Sequence, residues 1–342
     1  MSFRITTNGL FRGYQSNLHK NTKKLNDSML RVETGRKFNT YAEEPVAASK
    51  AFQLRRDFWR TGDQIDTSNS VISKYETAYS AMATIIDGDV DHPGLDGLYS
   101  TIVGVSDTSG AGRVSLGQQM IATSESIVAM MNSKLGEDYL FAGADGANLP
   151  FQWSADGSRL LYRGVDVGED ANLAELNSMA GEATYVDIGL GMTEDDEGNL
   201  IEASAFNSAI SGLAFLGYGK DQNLAVIMRE LGTIFANADP DTGKYANESD
   251  KDRAYELYNK LHDAINNAQK THVKLSTDAN YIKTNLTQLE NTKLQLNEQI
   301  EETEQGDPAA AITEMSWAQY CYNAALRIGN EILSQSLFDY MR

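Results

Sequence analysis

The chain has 342 residues but only one cysteine (Cys321), five prolines and four histidines. A single thiol excludes a disulfide framework and a thiolate metal cluster. His19, His92, His262 and His272 form no i, i+4 pair and no HExxH, so no zinc site is predicted. No run of about eighteen apolar residues occurs, which predicts no membrane-spanning helix. The first residues, Met1 to Asn8, are polar and lead into no apolar core, unlike a secretory signal peptide. Positive charge is also scarce: 29 Lys and Arg stand against 48 Asp and Glu, for a net charge of -19. That balance excludes a protein dedicated to phosphate backbones, which reward clustered Lys and Arg.

The scarcity is uneven. Residues 1–60 hold twelve basic and five acidic residues, a local +7, leaving -26 for the remainder. The basic residues share a helix with an apolar heptad stripe, so they read as a solvated or intersubunit face rather than a nucleic-acid arm.

Motifs that carry chemistry are incomplete wherever they begin. Gly189-Leu190-Gly191 fails the dinucleotide fingerprint because Glu194 stands at the third glycine. Gly243-Lys244 fails the phosphate-loop pattern, with Tyr245 in place of Ser/Thr and Ala238 in place of the leading glycine. Asp87-Gly88-Asp89-Val90-Asp91 starts like a calcium loop, but His92 and Leu98 occupy the positions of its Gly and bidentate Glu. The run Glu194–Asn199 reads as a solvated hairpin tip. Cys321, between Tyr320 and Tyr322 on a helix, reads as an apolar filler. No catalytic residue, cofactor or metal is predicted, and the enzyme classes drop out.

What the sequence does have is periodicity at both ends. Phe11, Leu18, Leu25 and Val32 recur every seven residues, with Tyr14 and Met29 widening the stripe. Leu275, Ile282, Leu289 and Leu296 repeat the interval later, with Ala279, Leu286 and Ile300 in the second seam position. One helix cannot bury its own heptad stripe, so both ends ask for partners. Helices are predicted over Thr7–Glu33, from Pro45 to Asp87, over Leu98–Val105, Arg113–Leu135 and Asn223–Asn237. A further helix is predicted over Glu248–Glu304, which lacks proline and glycine and would be about 85 Å long at 1.5 Å per residue. Asp307 and Pro308 then suit the N-cap and first turn of a last helix, to about Tyr340. Between them, short aromatic and β-branched runs from Tyr139 to Ile188 alternate with Gly, Asp and Asn. Residues 145–221 hold fourteen acidic and three basic residues, suiting a small, highly solvated β-rich lobe.

The expected fold class is therefore mainly α with a β-rich insertion: long antiparallel helices, terminal coiled-coil segments and a nested order. The domains expected are terminal assembly helices at 1–40 and 306–342, a helical rod domain at 41–144 and 222–305, and an outward-facing insertion at 145–221. The candidate assembly residues are Phe11, Leu18, Leu25 and Val32 at one end, with Ile312, Met315, Leu326 and Leu333 at the other.

Three local stretches carry a family resemblance. Thr34-Gly35-Arg36-Lys37-Phe38-Asn39 and Glu43-Glu44-Pro45-Val46-Ala47-Ala48 resemble the N-terminal signature of the flagellin superfamily. Tyr139-Leu140-Phe141-Ala142-Gly143, followed by Pro150-Phe151, and the ending Ser336-Leu337-Phe338-Asp339-Tyr340 resemble its hook–filament junction branch, the FlgL family. The chain departs in having Glu-Glu where the family has Asp-Asp, and in a Gly- and Asp-rich 84–115 region.

The resemblance implies a flagellin-like nested architecture and terminal helices that fold on assembly. It implies a structural role in the bacterial flagellum, joining hook to filament, with bulk flagellin as the alternative. The implied partners are further copies of the chain in a ring, a hook-associated protein on the hook side, flagellin on the filament side and a flagellar export chaperone. No nucleic acid and no membrane insertion are implied. The implied location is extracellular, reached by type III export without a cleaved signal peptide. An extracellular enzyme or ligand-binding module in the 145–221 lobe is the rival from another class, and no nucleophile–base pair there supports it.

Overall fold

A computed structural model describes residues 7–88, 94–107 and 112–340. The chain divides into two compact units: Met1–Gly62 with Glu290–Arg342, and Asp63–Leu289. Nine helices and nine short strands are present among the described residues. The helices are α1 (Thr7–Thr34), α2 (Pro45–Asp87), α3 (Leu95–Asp107), α4 (Arg113–Met131), α5 (Leu173–Ala180), α6 (Gly212–Leu216), α7 (Leu224–Ala236), α8 (Glu248–Glu304) and α9 (Pro308–Tyr340). The strands are β1 (Lys134–Leu135), β2 (Asp138–Tyr139), β3 (Ala142–Gly143), β4 (Phe151–Trp153), β5 (Leu160–Tyr162), β6 (Val165–Asp166), β7 (Tyr185–Val186), β8 (Phe206–Asn207) and β9 (Ile210–Ser211). The mainly α fold with a strand-rich insertion is the class the sequence predicts. Helices α2 and α8 contribute to both units.

In the unit built from the two ends, α1 packs along α9. Arg31 pairs with Glu314 at 3.1 Å, and a Cβ added to Gly329 would overlap the Tyr14 ring. Rising numbers on one helix meet falling numbers on the other, so the two run antiparallel.

The larger unit holds the main core. Glu76 pairs with Lys283 at 2.7 Å, and Tyr79 stacks on His272 at 4.2 Å, which sets α2 antiparallel to α8. Val71, Tyr75, Ala78 and Met82 on α2 join Leu261, Ala268, Leu275 and Ile282 on α8 in one buried cluster. Tyr99 of α3 stacks on Tyr258 at 5.0 Å. Helices α4 and α7 cross where Gly117 lies against Gly232. Asn223 caps α7 by accepting from the Ala225 and Val226 amides and donates to the Gly217 carbonyl at 2.7 Å.

The expected helix over Arg113–Leu135 is shorter than its pattern: α4 stops at Met131. The Asn132 side chain donates to the Phe151 carbonyl at 2.8 Å and accepts from its amide at 2.9 Å. That pair of bonds docks the end of the helix onto β4, and a β1–β2 hairpin with Gly136 at φ +67° follows. The insertion is closed by β3 pairing antiparallel with β9, Ala142 opposite Ser211 and Gly143 opposite Ile210. Within it lie the sheet β4-β5-β6 and the pair β7-β8. The lobe is less solvated inside than its charge suggests. Phe141, Phe151, Leu160, Tyr162, Val167 and Leu176 are fully buried. The Phe141 carbonyl accepts from both the Gly212 amide at 2.9 Å and the Tyr162 hydroxyl at 3.1 Å. Helix α5 was not foreseen in the sequence, because its eight residues carry too few turns to show a period.

Asp221, at φ +54°, is a non-glycine residue in left-handed backbone. Arg253 holds it there with two bonds to its carboxylate and adds bonds to Glu230 and Glu256. Hydrogen bonding from Arg253 keeps the Asp221 carboxyl below its ordinary range. A depressed carboxylate stabilises above its unfolded pKa of about 3.9, and that contribution is lost as pH falls through the lower folded value. Arg253→Gln is therefore expected to cost about 2 kcal/mol at neutral pH. The gap from wild type should narrow as urea titrations move below about pH 4. A pH-independent gap would show that the charge is not what stabilises this corner.

Candidate assembly surface

The candidate surface lies in the unit made from both chain ends. Its geometry starts at a knot between two turns. Helix α1 ends at Gly35, whose φ of +67° lets its amide return to the Arg31 carbonyl at 2.9 Å. The chain then runs beside the α8–α9 turn. The Gly306 amide donates to the Gly35 carbonyl at 2.8 Å, and the Lys37 amide to the Glu304 carbonyl at 2.7 Å, flanking an antiparallel bridge from Arg36 to Gln305.

Side chains tighten the knot. Arg55 grips Glu304 with a bond from each of two guanidinium nitrogens, at 2.7 and 2.5 Å. This bonding holds the Glu304 carboxyl below its usual range and raises Arg55. Glu43 accepts from the Asn39 amide and the Thr40 hydroxyl, and Phe38 is buried. Asp307 caps α9 through the Ala309 amide at 2.8 Å. The Thr34–Asn39 stretch singled out in the sequence is therefore bound to the turn that leads into α9, and Glu43 braces it by pairing with Arg31 at 3.7 Å. A cleft of about 290 Å³ beside the knot is lined by Val32, Glu44, Pro308 and Ile312, among others.

The eight candidate assembly residues are placed as follows. Leu18, Leu25 and Val32 on α1 and Met315 on α9 are half-buried in the helix pair. Phe11, Ile312 and Leu326 stay 38%, 51% and 42% exposed. Leu333 falls within α9, and its side chain lies outside the described residues. Sequence reasoning missed a second apolar set on this unit: Val46, Phe52 and Trp59 on α2 are 86%, 71% and 68% exposed. Phe52 and Trp59 are seven residues apart, so the interval that marked α1 was available there too. On α9, Trp317 and Tyr320 are exposed and stacked on each other at 5.8 Å.

Among the described residues, the buried apolar side chains of this unit are Phe38, Ala51, Leu54 and Ala318. Among the described residues this unit buries four apolar side chains while presenting several aromatic ones at its surface, and exposed apolar patches are a general mark of interaction sites.

No group of His, Cys, Asp and Glu able to hold a metal ion occurs among the described residues. The calcium-like turn lies mostly outside them, since Asp89–His92 are not described. Among the described residues, no helix is long and apolar enough to cross a membrane. Cys321 is a free, half-buried thiol.

The fold and this surface define a mainly helical protein with a nested strand-rich insertion. Residues 5–88, which span α1 and α2, match the family model of the bacterial flagellin N-terminal helical region. No curated protein sequence matches the chain. Among solved structures, it shares its fold with a protein from Vibrio parahaemolyticus described as a "putative flagellar hook-associated protein". That likeness has a TM-score of 0.54 at 12% identity, covering 77% of this chain and 100% of that one. FlgL of Bacillus cereus also aligns, with a TM-score of 0.43 at 14% identity over 73% of this chain and 99% of that one.

Proposed function

We propose that this chain is a structural subunit of the bacterial flagellum, the adaptor joining hook to filament, and that it assembles through its terminal helices. The observation that carries the reading is the imbalance of the terminal unit, with its small buried core and broad exposed apolar surface. Joining copies would bury that surface, and apolar burial is the main driving force for association. The role is structural rather than catalytic.

In this reading the partners are further copies of the chain, a hook-associated protein on one side and flagellin on the other. An export chaperone shields the ends before assembly, and the destination is extracellular. The segments 1–40 and 306–342 serve assembly, 41–144 and 222–305 form the helical rod domain, and 145–221 faces outward. The N-terminal match to flagellin and the shared fold with a flagellar protein support the setting.

The test is the position of the protein in isolated flagella. Antibody labelling is expected in a narrow band at the distal end of the hook. Label along the whole filament would replace the adaptor with bulk flagellin, and absence of label from flagella would remove the reading altogether.

A further inference from the structure

We propose that neighbouring copies of this chain interlock through charge, the basic face of α1 on one copy meeting the acidic end of α8 on the next. The proposal rests on the assembly reading above and adds the contact that sets one copy against another.

On α1, Arg12, His19, Lys20, Lys23 and Lys24 are all exposed. At 3.6 residues per turn they fall within an arc of about 140°, away from the Leu18–Leu25–Val32 stripe that faces α9. Exposed Leu30 lies in the same arc. Asp27 is the one acidic residue there, and Arg31 closes the arc, already paired with Glu314 and Glu43. None of Arg12, Lys20, Lys23 and Lys24 has an ion-pair partner among the described residues.

The last turns of α8 carry the opposite sign. Glu290, Glu298, Glu301 and Glu302 are exposed within an arc of about 120°, with exposed Leu294 at its centre. Asn297 donates to Glu301 at 2.9 Å, and none of the four has an ion-pair partner among the described residues. Lys293, the nearby cation, lies over the Phe58 ring at 5.2 Å and points away from this arc.

The two faces agree in length as well as sign. Arg12 to Lys24 and Glu290 to Glu302 each span twelve residues, about 18 Å of helix. Each span bears four charges without an ion-pair partner among the described residues, at the same intervals along the helix; Leu294 lies inside the acidic span, and Leu30 lies six residues beyond Lys24. Faces on different elements that match in this way make a head-to-tail contact, the kind that closes rings or extends filaments. A second copy of the chain carries the complementary face by construction, so it is the occupant to which this arrangement points. Like charges facing each other would exclude the wrong register.

The experiment uses the full chain and two charge-reversed variants, Lys20→Glu/Lys23→Glu/Lys24→Glu and Glu298→Lys/Glu301→Lys/Glu302→Lys. Self-association is read by sedimentation velocity across protein concentration, at about 0.05 M and about 1 M salt. The wild type is expected to associate more strongly at low salt, and each variant alone to lose roughly tenfold or more. Mixing the two variants should restore association, because each then meets an opposite face. Lys→Gln and Glu→Gln counterparts, matched in helicity by circular dichroism, should fall between wild type and the reversed chains.

Wild-type-like association of either variant would overturn the proposal. So would a mixture no better than its parts, or a wild type that stays monomeric throughout. These outcomes are separable from the assignment to the hook end, because labelling of wild-type protein in flagella can succeed while the charge rescue fails, and the reverse.

Discussion

Gly117→Ala is expected to lower the stability of the larger unit by about 3 kcal/mol, the upper part of the range for inserting volume into a packed site. The reason lies at the crossing of α4 and α7. A Cβ at Gly117 would sit 2.5 Å from both the Ala236 amide nitrogen and the Gly232 carbonyl oxygen, and 2.9 Å from the Phe235 carbonyl carbon. All three are backbone atoms, so no rotamer change relieves the contact and the helices must move apart. Moving them loosens Met120, Leu231 and Phe235, which are buried in the same cluster. The better helix propensity of alanine, worth about 1 kcal/mol, offsets part of the loss.

The matched control is Gly104→Ala in α3, where the added Cβ meets open space. That change is expected to be neutral, or stabilising by up to about 1 kcal/mol. Urea titrations of the two variants separate packing from propensity. Equal midpoints would show that the crossing does not depend on bare backbone.

The second large effect concerns assembly without folding. Leu326→Asp is expected to abolish incorporation into flagella while changing the stability of the isolated chain by less than about 0.5 kcal/mol. Leu326 is 42% exposed on α9, so the free chain already leaves much of it in water. In an assembled surface the same position would be covered, and an unpaired carboxylate there costs several kcal/mol. Leu18→Asp is the companion change. Leu18 is half-buried against α9, so this variant should lose incorporation and also loosen the α1–α9 pair, with the 145–221 lobe still folded. Thermal melts followed by circular dichroism, with flagellar fractions probed by antibody, read both effects. Normal incorporation of Leu326→Asp would remove the role given to this face.

Much of the helical frame was legible in the sequence, for local reasons. The α8 helix spans the predicted Glu248–Glu304 because nothing between those residues breaks a helix and Gly306-Asp307-Pro308 ends the run. The end of α4 was not legible, because Asn132 leaves the helix to bond Phe151, nineteen residues away. Nor was the density of the insertion's core. That core forms when Phe141, Phe151, Tyr162 and Leu176 converge from separate short segments. Heptad spacing marked an apolar stripe on α1 but could not say how fully it is covered, and the second heptad stripe, expected to ask for a partner, is met within the chain, with Leu275, Ile282 and Leu289 of α8 buried. Whether Phe52 and Trp59 are buried depends on what packs beside α2, which periodicity does not record.

The knot between Gly35 and Gly306 also sets the order of events when the chain folds. It joins positions 271 residues apart, and α1 has its partner helix in the last thirty-odd residues. Contacts so distant in sequence form late, after nearer ones have shortened the loop that must be closed. During synthesis from the N-terminus, the Asp63–Leu289 unit is complete while α1 still lacks α9. The helix pair is thus a timer as well as a structural element. Until α9 is made, α1 lacks the helix it packs along.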